Sequence, residues 1–263
     1  MNGWKFSLTD VRGHNWKLTK NGGEGVYLAP GAVSDLVASW VRPTVSTAGV
    51  DGVRVRRDEV HLEPISGSLK FIAHDIDWRN ADESFAEFTR MWDVVQPCYL
   101  RALNPSGAQL VLPVTLAGAV ATPPEIVGSP LFHFQIPVIA DSGAWQEVHA
   151  ATATGGALDV QVHAGAVANM VYPRVRWNEA CQLTLPSGVT IDLPTVDDWR
   201  TIDLDPSTAY AVTTSEGELD RDLRNRLWPK MKSEGVPRHT ARSYRITNGA
   251  TLSWNIPVAS PWR

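Results

Sequence analysis

Thr251-Leu252-Ser253-Trp254-Asn255-Ile256-Pro257-Val258 alternates, with Leu252, Trp254, Ile256 and Val258 on one parity. Successive strand side chains point to opposite faces, so a two-residue apolar period marks a strand half buried and half wet. The stretch runs on into Pro261-Trp262-Arg263, and a large aromatic beside the carboxylate predicts a terminus held by packing. The same period recurs in Trp4, Phe6 and Leu8, in Leu158, Val160 and Val162, and in Val189, Ile191 and Leu193. A repeated wet face indicates a mainly β, mostly antiparallel protein. It argues against a doubly wound α/β enzyme, whose parallel strands are covered on both faces.

With 263 residues the chain is long enough to bury a sizeable core, as one large β domain or two ordinary ones. Its net charge is −4, and its 24 Lys and Arg are scattered among 28 Asp and Glu, which argues against a nucleic-acid partner. No apolar run approaches the roughly 18 residues a membrane helix needs, and no charged-then-apolar leader precedes Trp4. The expectation is a soluble chain made in the cytoplasm without membrane insertion. Cys98 and Cys181 fall in different predicted domains and are read as reduced thiols, with a bridge or a metal role as the alternatives.

The first half, residues 1–148, opens with strands at Trp4–Thr9 and Asn15–Thr19 around an Asp10–Gly13 turn. Gly22, Gly23 and Gly25 lack the strand-then-helix context and the Gly-Lys-Ser/Thr of a phosphate loop, so they are read as a turn. Val26–Trp40 reads as strand and Ser39–Asp51 as loop. In Val53–Leu62 the apolar parity slips by one, as a β-bulge produces, and Leu69–Asp77 is its expected partner. Asn80–Val95 is the clearest helix, with capping-box spacing between Asn80 and Glu83, an apolar face of Phe85, Phe88, Trp92 and Val95, and a stop at Pro97. It is expected to cover one opening of a β-barrel or sheet. Cys98–Leu103 and Gln109–Leu116 flank the hairpin signal Asn104-Pro105-Ser106-Gly107, and Leu131–Ile139 follows.

Small and polar residues over Asp141–Gly156 place the domain boundary there, and residues 149–263 form the second predicted domain. There, short alternating segments from Leu158 to the closing strand, with a hairpin at Pro186-Ser187-Gly188, are the pattern of a β-sandwich. One amphipathic helix interrupts it. Ser215 and Glu218 have capping-box spacing, Leu219, Leu223 and Leu227 form a face, Pro229 ends the run, and Arg221, Arg224 and Arg226 face solvent or a neighbour.

Little of the sequence points to catalysis. His74, Asp75 and Asp77 are the most metal-like cluster, but strand alternation puts His74 on the face opposite both carboxylates. Asp197, Asp198, Asp203 and Asp205 have the composition of a calcium site or a glycosidase pair, yet they straddle a turn and a wet strand face where Asp is common. No Gly-x-Ser-x-Gly, His-Glu-x-x-His or Cys-His signature is present. The chain reads as non-enzymatic, with no catalytic, cofactor-binding or metal residues and no cofactor. Eleven tryptophans, from Trp4 to Trp262, suit core or subunit packing, with a sugar-stacking platform as the alternative.

Trp4-Lys5-Phe6-Ser7-Leu8-Thr9-Asp10 with Gly13 and Trp16, the Gly25-Val26 step, and Val53–Leu62 carrying Arg56 and Arg57 resemble the N-terminal belt domain of siphophage distal tail proteins. Trp199–Asp205, the Leu219–Trp228 helix, Tyr244 and the Trp254–Arg263 ending are similar to minor tail proteins of phages infecting actinobacteria. The resemblance implies an N-terminal split β-barrel with one helix and a C-terminal galectin-like β-sandwich. It also implies a ring, usually hexameric, between the tail tube protein above and the tail-tip hub below, in the virion and assembled in the host cytoplasm. Such a ring needs a heterologous interface, for which barrel edges and the Ser39–Gly52 loop are natural contacts. The sandwich would sit at the periphery, carrying other minor tail proteins or touching host glycans. Two readings compete with this one: a carbohydrate-binding module with exposed tryptophans on a concave face, and a glycoside hydrolase fragment with facing carboxylates about 5–10 Å apart.

Overall fold

The computed structural model describes residues 3–19, 24–46, 51, 54–55, 59–123, 128–152, 156–247 and 249–262. The chain divides into two units, Met1–Gln146 with Val258–Arg263, and Glu147–Pro257. Nearly all regular structure is antiparallel strand, and the described residues contain two α-helices. No helix among them is long and apolar enough to cross a membrane.

The first unit holds β1 (Lys5–Thr9), β2 (Asn15–Lys17), β3 (Val26–Leu28), β4 (Trp40–Val41), β5 (Thr44–Val45), β6 (Arg54–Val55), β7 (His61–Leu62), β8 (Ile65–His74), α1 (Ala81–Thr89), β9 (Cys98–Leu103), β10 (Gln109–Leu116) and β11 (Leu131–Ala140). Pairing runs β2-β1-β9-β10-β11-β8-β3. Leu18 N–H to Phe6 O at 2.9 Å carries the β1–β2 pair one step further, and the two ends of the sheet meet through Leu28 N–H to Leu18 O at 3.0 Å. The result is a split barrel whose inward parity, Leu8, Phe71, Leu100, Leu112 and Ile136, has no solvent exposure.

Helix α1 lies against β8 and β3. It inserts Phe85 and Phe88 among the core rings, with Phe88 edge-on to Phe71 at 4.8 Å and to Trp16 at 5.1 Å, and Phe85 edge-on to Phe134 at 4.9 Å. Each such pair contributes about 0.5–1.5 kcal/mol beyond its burial. Its first turn is held from two sides: Glu83 Oε2 accepts from Asn80 N–H at 3.3 Å, and Asp75 Oδ1 accepts from Ala81 N–H at 2.8 Å.

Several predicted elements need correction. The helix stops at Thr89, short of Val95, because Asp93 Oδ1 accepts from Val95 N–H and Gln96 N–H in a tight turn that leaves Val95 exposed. Val26–Trp40 is strand at Val26–Leu28 and again only at Trp40, where β4 begins. Pro30-Gly31 interrupts it, and successive turns bury Ala32, Val33 and Leu36 instead. Leu69–Asp77 pairs with β11 and β3, not with Val53–Leu62. The predicted loop at Ser39–Asp51 contains β4 and β5, which pair with β7 and β6 as a two-stranded ribbon. Along it, three positions separate Val41 from Thr44 while six separate Val55 from His61, so the returning arm carries three extra residues. Val53 and the bulge residues Arg56, Arg57 and Asp58 lie outside the described residues, as do Gly22, Gly23 and most of the loop tip.

The second unit continues with β12 (Trp145–Thr152), β13 (Ala157–Val162), β14 (Met170–Val171), β15 (Arg174–Trp177), β16 (Cys181–Thr184), β17 (Thr190–Leu193), β18 (Arg200–Asp203), β19 (Val212–Thr214), α2 (Arg221–Leu227), β20 (Val236–Pro237), β21 (Thr240–Ile246) and β22 (Thr251–Val258). One sheet is ordered β13-β21-β16-β17 and the other β19-β18-β15-β22-β12, with β14 and β20 as a small extra pair. Val160, Tyr244, Leu183 and Ile191 from the first, and Val175, Trp177, Ile202 and Leu252 from the second, are fully or almost fully buried, giving a β-sandwich.

The polar ends of Trp177 and Tyr244 find partners inside the sandwich. Trp177 Nε1–H donates to Pro194 O at 2.9 Å, and the Tyr244 hydroxyl donates to Glu234 O while burial pushes its phenol pKa upward. The small and polar stretch at the predicted boundary contains β12, whose alanines hide its strand character. The cap of α2 is Asp220, whose Oδ1 accepts from Leu223 N–H at 3.0 Å. Ser215 instead donates to Asp198 inside the Thr214–Glu218 turn, and Leu219 is exposed.

Candidate functional site

The first unit carries an exposed ribbon and several grooves. The paired strands β4–β7 and β5–β6 form the ribbon, and two-stranded ribbons are marginal in water without cover. Trp40 and Val45 on it are 43% and 39% exposed. Its base is firm. Glu63 N–H donates to Ser39 O at 3.1 Å, Ala38 N–H donates to Ala259 O at 2.8 Å, and Gly143, at φ +63°, packs so closely that an added Cβ would lie 2.6 Å from Glu63 O.

Three grooves open on the same unit. An apolar one of about 450 Å³ lies among Trp4, Phe6, Leu18, Tyr27 and Val33. Trp262 sits edge-on to Trp4 at 4.9 Å, so the C-terminal residues are tied to this wall. A second of about 450 Å³ lies on the outer face of β2, β1, β9 and β10, where Lys5, Lys17 and Arg101 project among Ser7, Asn15 and Gln109 without an acidic residue. The third, about 670 Å³, separates the β1–β2 turn from α1 and is lined by charges of both signs, including Arg12, Glu83 and Arg90.

The residues considered for chemistry are engaged in local structure. His74 Nδ1–H donates to Asp75 O at 2.8 Å, Asp75 caps α1, and Asp77 is exposed. Asp203 pairs with Arg174 at 2.9 Å, and Asp205 Oδ1 accepts from Ser207 N–H. Asp197 meets Arg200 at 3.1 Å, and Asp198 is held below the usual carboxylate range by the Ser215 hydroxyl and the Trp199 N–H. Among the described residues no three His, Cys, Asp or Glu side chains are grouped to hold a metal ion. Cys98 and Cys181 are both free and buried, and desolvation pushes each thiol up to about 11. Trp40 and Val45 lie within the Ser39–Gly52 segment that the sequence marked as a contact, but their strand pairing was not legible, because a two-residue strand has no period to read.

Solved structures align with almost the whole chain. The Dit protein of phage SPP1, described as a paradigm of the hub adsorption apparatus in phages infecting Gram-positive bacteria, is 10% identical, with a TM-score of 0.53 over 96% of this chain and 98% of its own. The fold is that of a distal tail protein. A chain of the phage P2 baseplate, solved in its activated conformation with calcium, gives a TM-score of 0.57 at 10% identity, covering 96% of this chain and 98% of that one. Its strontium counterpart gives 0.53 at 11% identity over 96% and 97%. No protein-family model matches the chain, and no curated protein matches its sequence.

Proposed function

We propose that the chain is a structural protein of a phage tail that acts by assembly and not by turnover. Its barrel unit forms a closed ring, hexameric in the leading reading, between the tail tube and the tail-tip hub. The observation that carries this is the end-to-end likeness: barrel, helix, ribbon and sandwich together match proteins of phage adsorption hubs and baseplates over 96% of the chain. The surface supports it. A ribbon with exposed Trp40 and Val45 is a clasp in need of cover, and the apolar and basic grooves offer different patches, as a heterologous interface requires.

Native mass spectrometry with negative-stain imaging tests the reading. Rings of six 28.8 kDa protomers are expected. A monomer that persists from micromolar to high concentration overturns it.

A further inference from the structure

The segment around α2 concentrates positive charge. Arg221, Arg224, Arg226, Lys230 and Lys232 face a single acid, Asp222, within twelve residues of a chain whose net charge is −4. Leu223 and Leu227 are buried and seat α2 on the sandwich, so Arg221, Arg226, Lys230 and Lys232 are left exposed. No ion pair engages these four among the described residues, and Asp220, which begins α2, is taken by Arg200 at 2.9 Å.

An aromatic stands in the middle of these cations. Trp228 is 43% exposed; the Arg224 guanidinium lies 4.5 Å from its ring centre, and Tyr210 meets it edge-on at 5.3 Å. Arg224 is fixed in turn, since its Nε–H donates to Ala209 O at 3.0 Å. Ala209 and Tyr210 both have left-handed backbones, with φ of 54° and 52°. Two consecutive non-glycine residues in that region are strained, and such strain persists where surrounding structure enforces it, commonly at functional sites.

We propose that this patch binds an anionic glycan, a saccharide chain bearing phosphate, sulfate or carboxylate groups. An exposed indole packs against the C–H face of a sugar ring, and the surrounding cations take its anionic substituents. A nucleic acid fits less well. Seven residues of α2 span about 10 Å, enough for few phosphates, and Tyr210 stands edge-on to Trp228, so the two give no parallel platforms for successive bases. The inference is independent of the ring: a monomer that binds leaves it intact, and a ring that does not bind refutes it alone.

Isothermal titration of the full chain in about 150 mM salt with a heparin oligosaccharide, neutral dextran, inorganic polyphosphate and oligo-dT is the test. The heparin fragment is expected to bind at least about tenfold tighter than polyphosphate or oligo-dT, and dextran not at all. Trp228→Ala should weaken heparin binding about tenfold. The double variant Arg226→Ala/Lys230→Ala, confined to exposed side chains, should weaken it and flatten its salt dependence. Equal binding of oligo-dT or polyphosphate, absence of heparin binding, or indifference to both variants overturns the proposal.

Discussion

The indole N–H of Trp145 donates to the carbonyl oxygen of Leu36 at 2.7 Å, and both side chains are fully buried. The bond joins residues 109 positions apart, tying the turns before the ribbon to the start of β12. Trp145→Phe keeps most of the ring but leaves the carbonyl without a donor, which costs about 1–3 kcal/mol. Trp145→Ala adds a cavity and should cost about 3–5 kcal/mol. Urea unfolding checks both. Equal losses for the two variants would mean that the hydrogen bond, not the volume, sets the energy.

Asp220 holds α2 twice, accepting from Leu223 N–H as the cap and from Arg200 Nε–H at 2.9 Å. Its carboxyl is lowered first by the Arg200 bond and then by Leu223 N–H. A depressed folded-state pKa stabilises the protein fully above the unfolded value near ~3.9, and that stability is lost as pH falls through the folded value. Asn caps a helix about as well as Asp, so Asp220→Asn isolates the charge. It should cost about 1 kcal/mol at neutral pH, the pair being partly solvated, and converge with the parent at acid pH. Denaturation midpoints across pH 2–7 read the difference; a gap that persists at pH 2 counts against the ion pair.

Elements with local chemistry were legible in sequence. The Asn104–Gly107 hairpin forms where expected because Asn104 Oδ1 accepts from Ala108 N–H at 2.8 Å and Gly107 supplies φ +90°, both fixed within five residues. Elements defined by distant partners were not. The ribbon rests on pairs such as Trp40 with Leu62, and β12 is a strand despite Ala150 and Ala151. Two helix ends were misplaced for a related reason: Asp93 draws the Val95 and Gln96 N–H groups into a turn, and Asp220, not Ser215, accepts from an N–H of α2. The candidate surface was legible only as far as the resemblance went, since exposure at Trp40 or Trp228 is not written in a period.

Burial sets the reactivity of the two cysteines. With thiols near 11, about a thousandth of each is thiolate at pH 8, against about a quarter for an ordinary thiol. Iodoacetamide at pH 8 should therefore label neither Cys98 nor Cys181 within an hour, and should label both promptly in guanidinium. Mass spectrometry separates the sites. Rapid native labelling of Cys98 would show that the sheet around β9 opens far more often than its burial implies.

Gly25 shows why a glycine at the start of β3 is structural. Its φ is +77°, and a Cβ there would lie 2.3 Å from Ser84 Oγ, 2.9 Å from Ser84 Cβ and 3.3 Å from His74 O. The strand enters the barrel so close to α1 that only a hydrogen fits. Gly25→Ala should therefore cost about 1–3 kcal/mol from the left-handed backbone and the collision together. Ser84 is fully buried and its Oγ has no hydrogen-bond partner, so Ser84→Ala alone should be neutral or slightly stabilising. The double variant discriminates between causes. Ser84→Ala removes the oxygen but leaves Cβ in place, so it should rescue Gly25→Ala only in part. Full rescue in urea unfolding would make the clash with the hydroxyl the whole effect and backbone strain negligible.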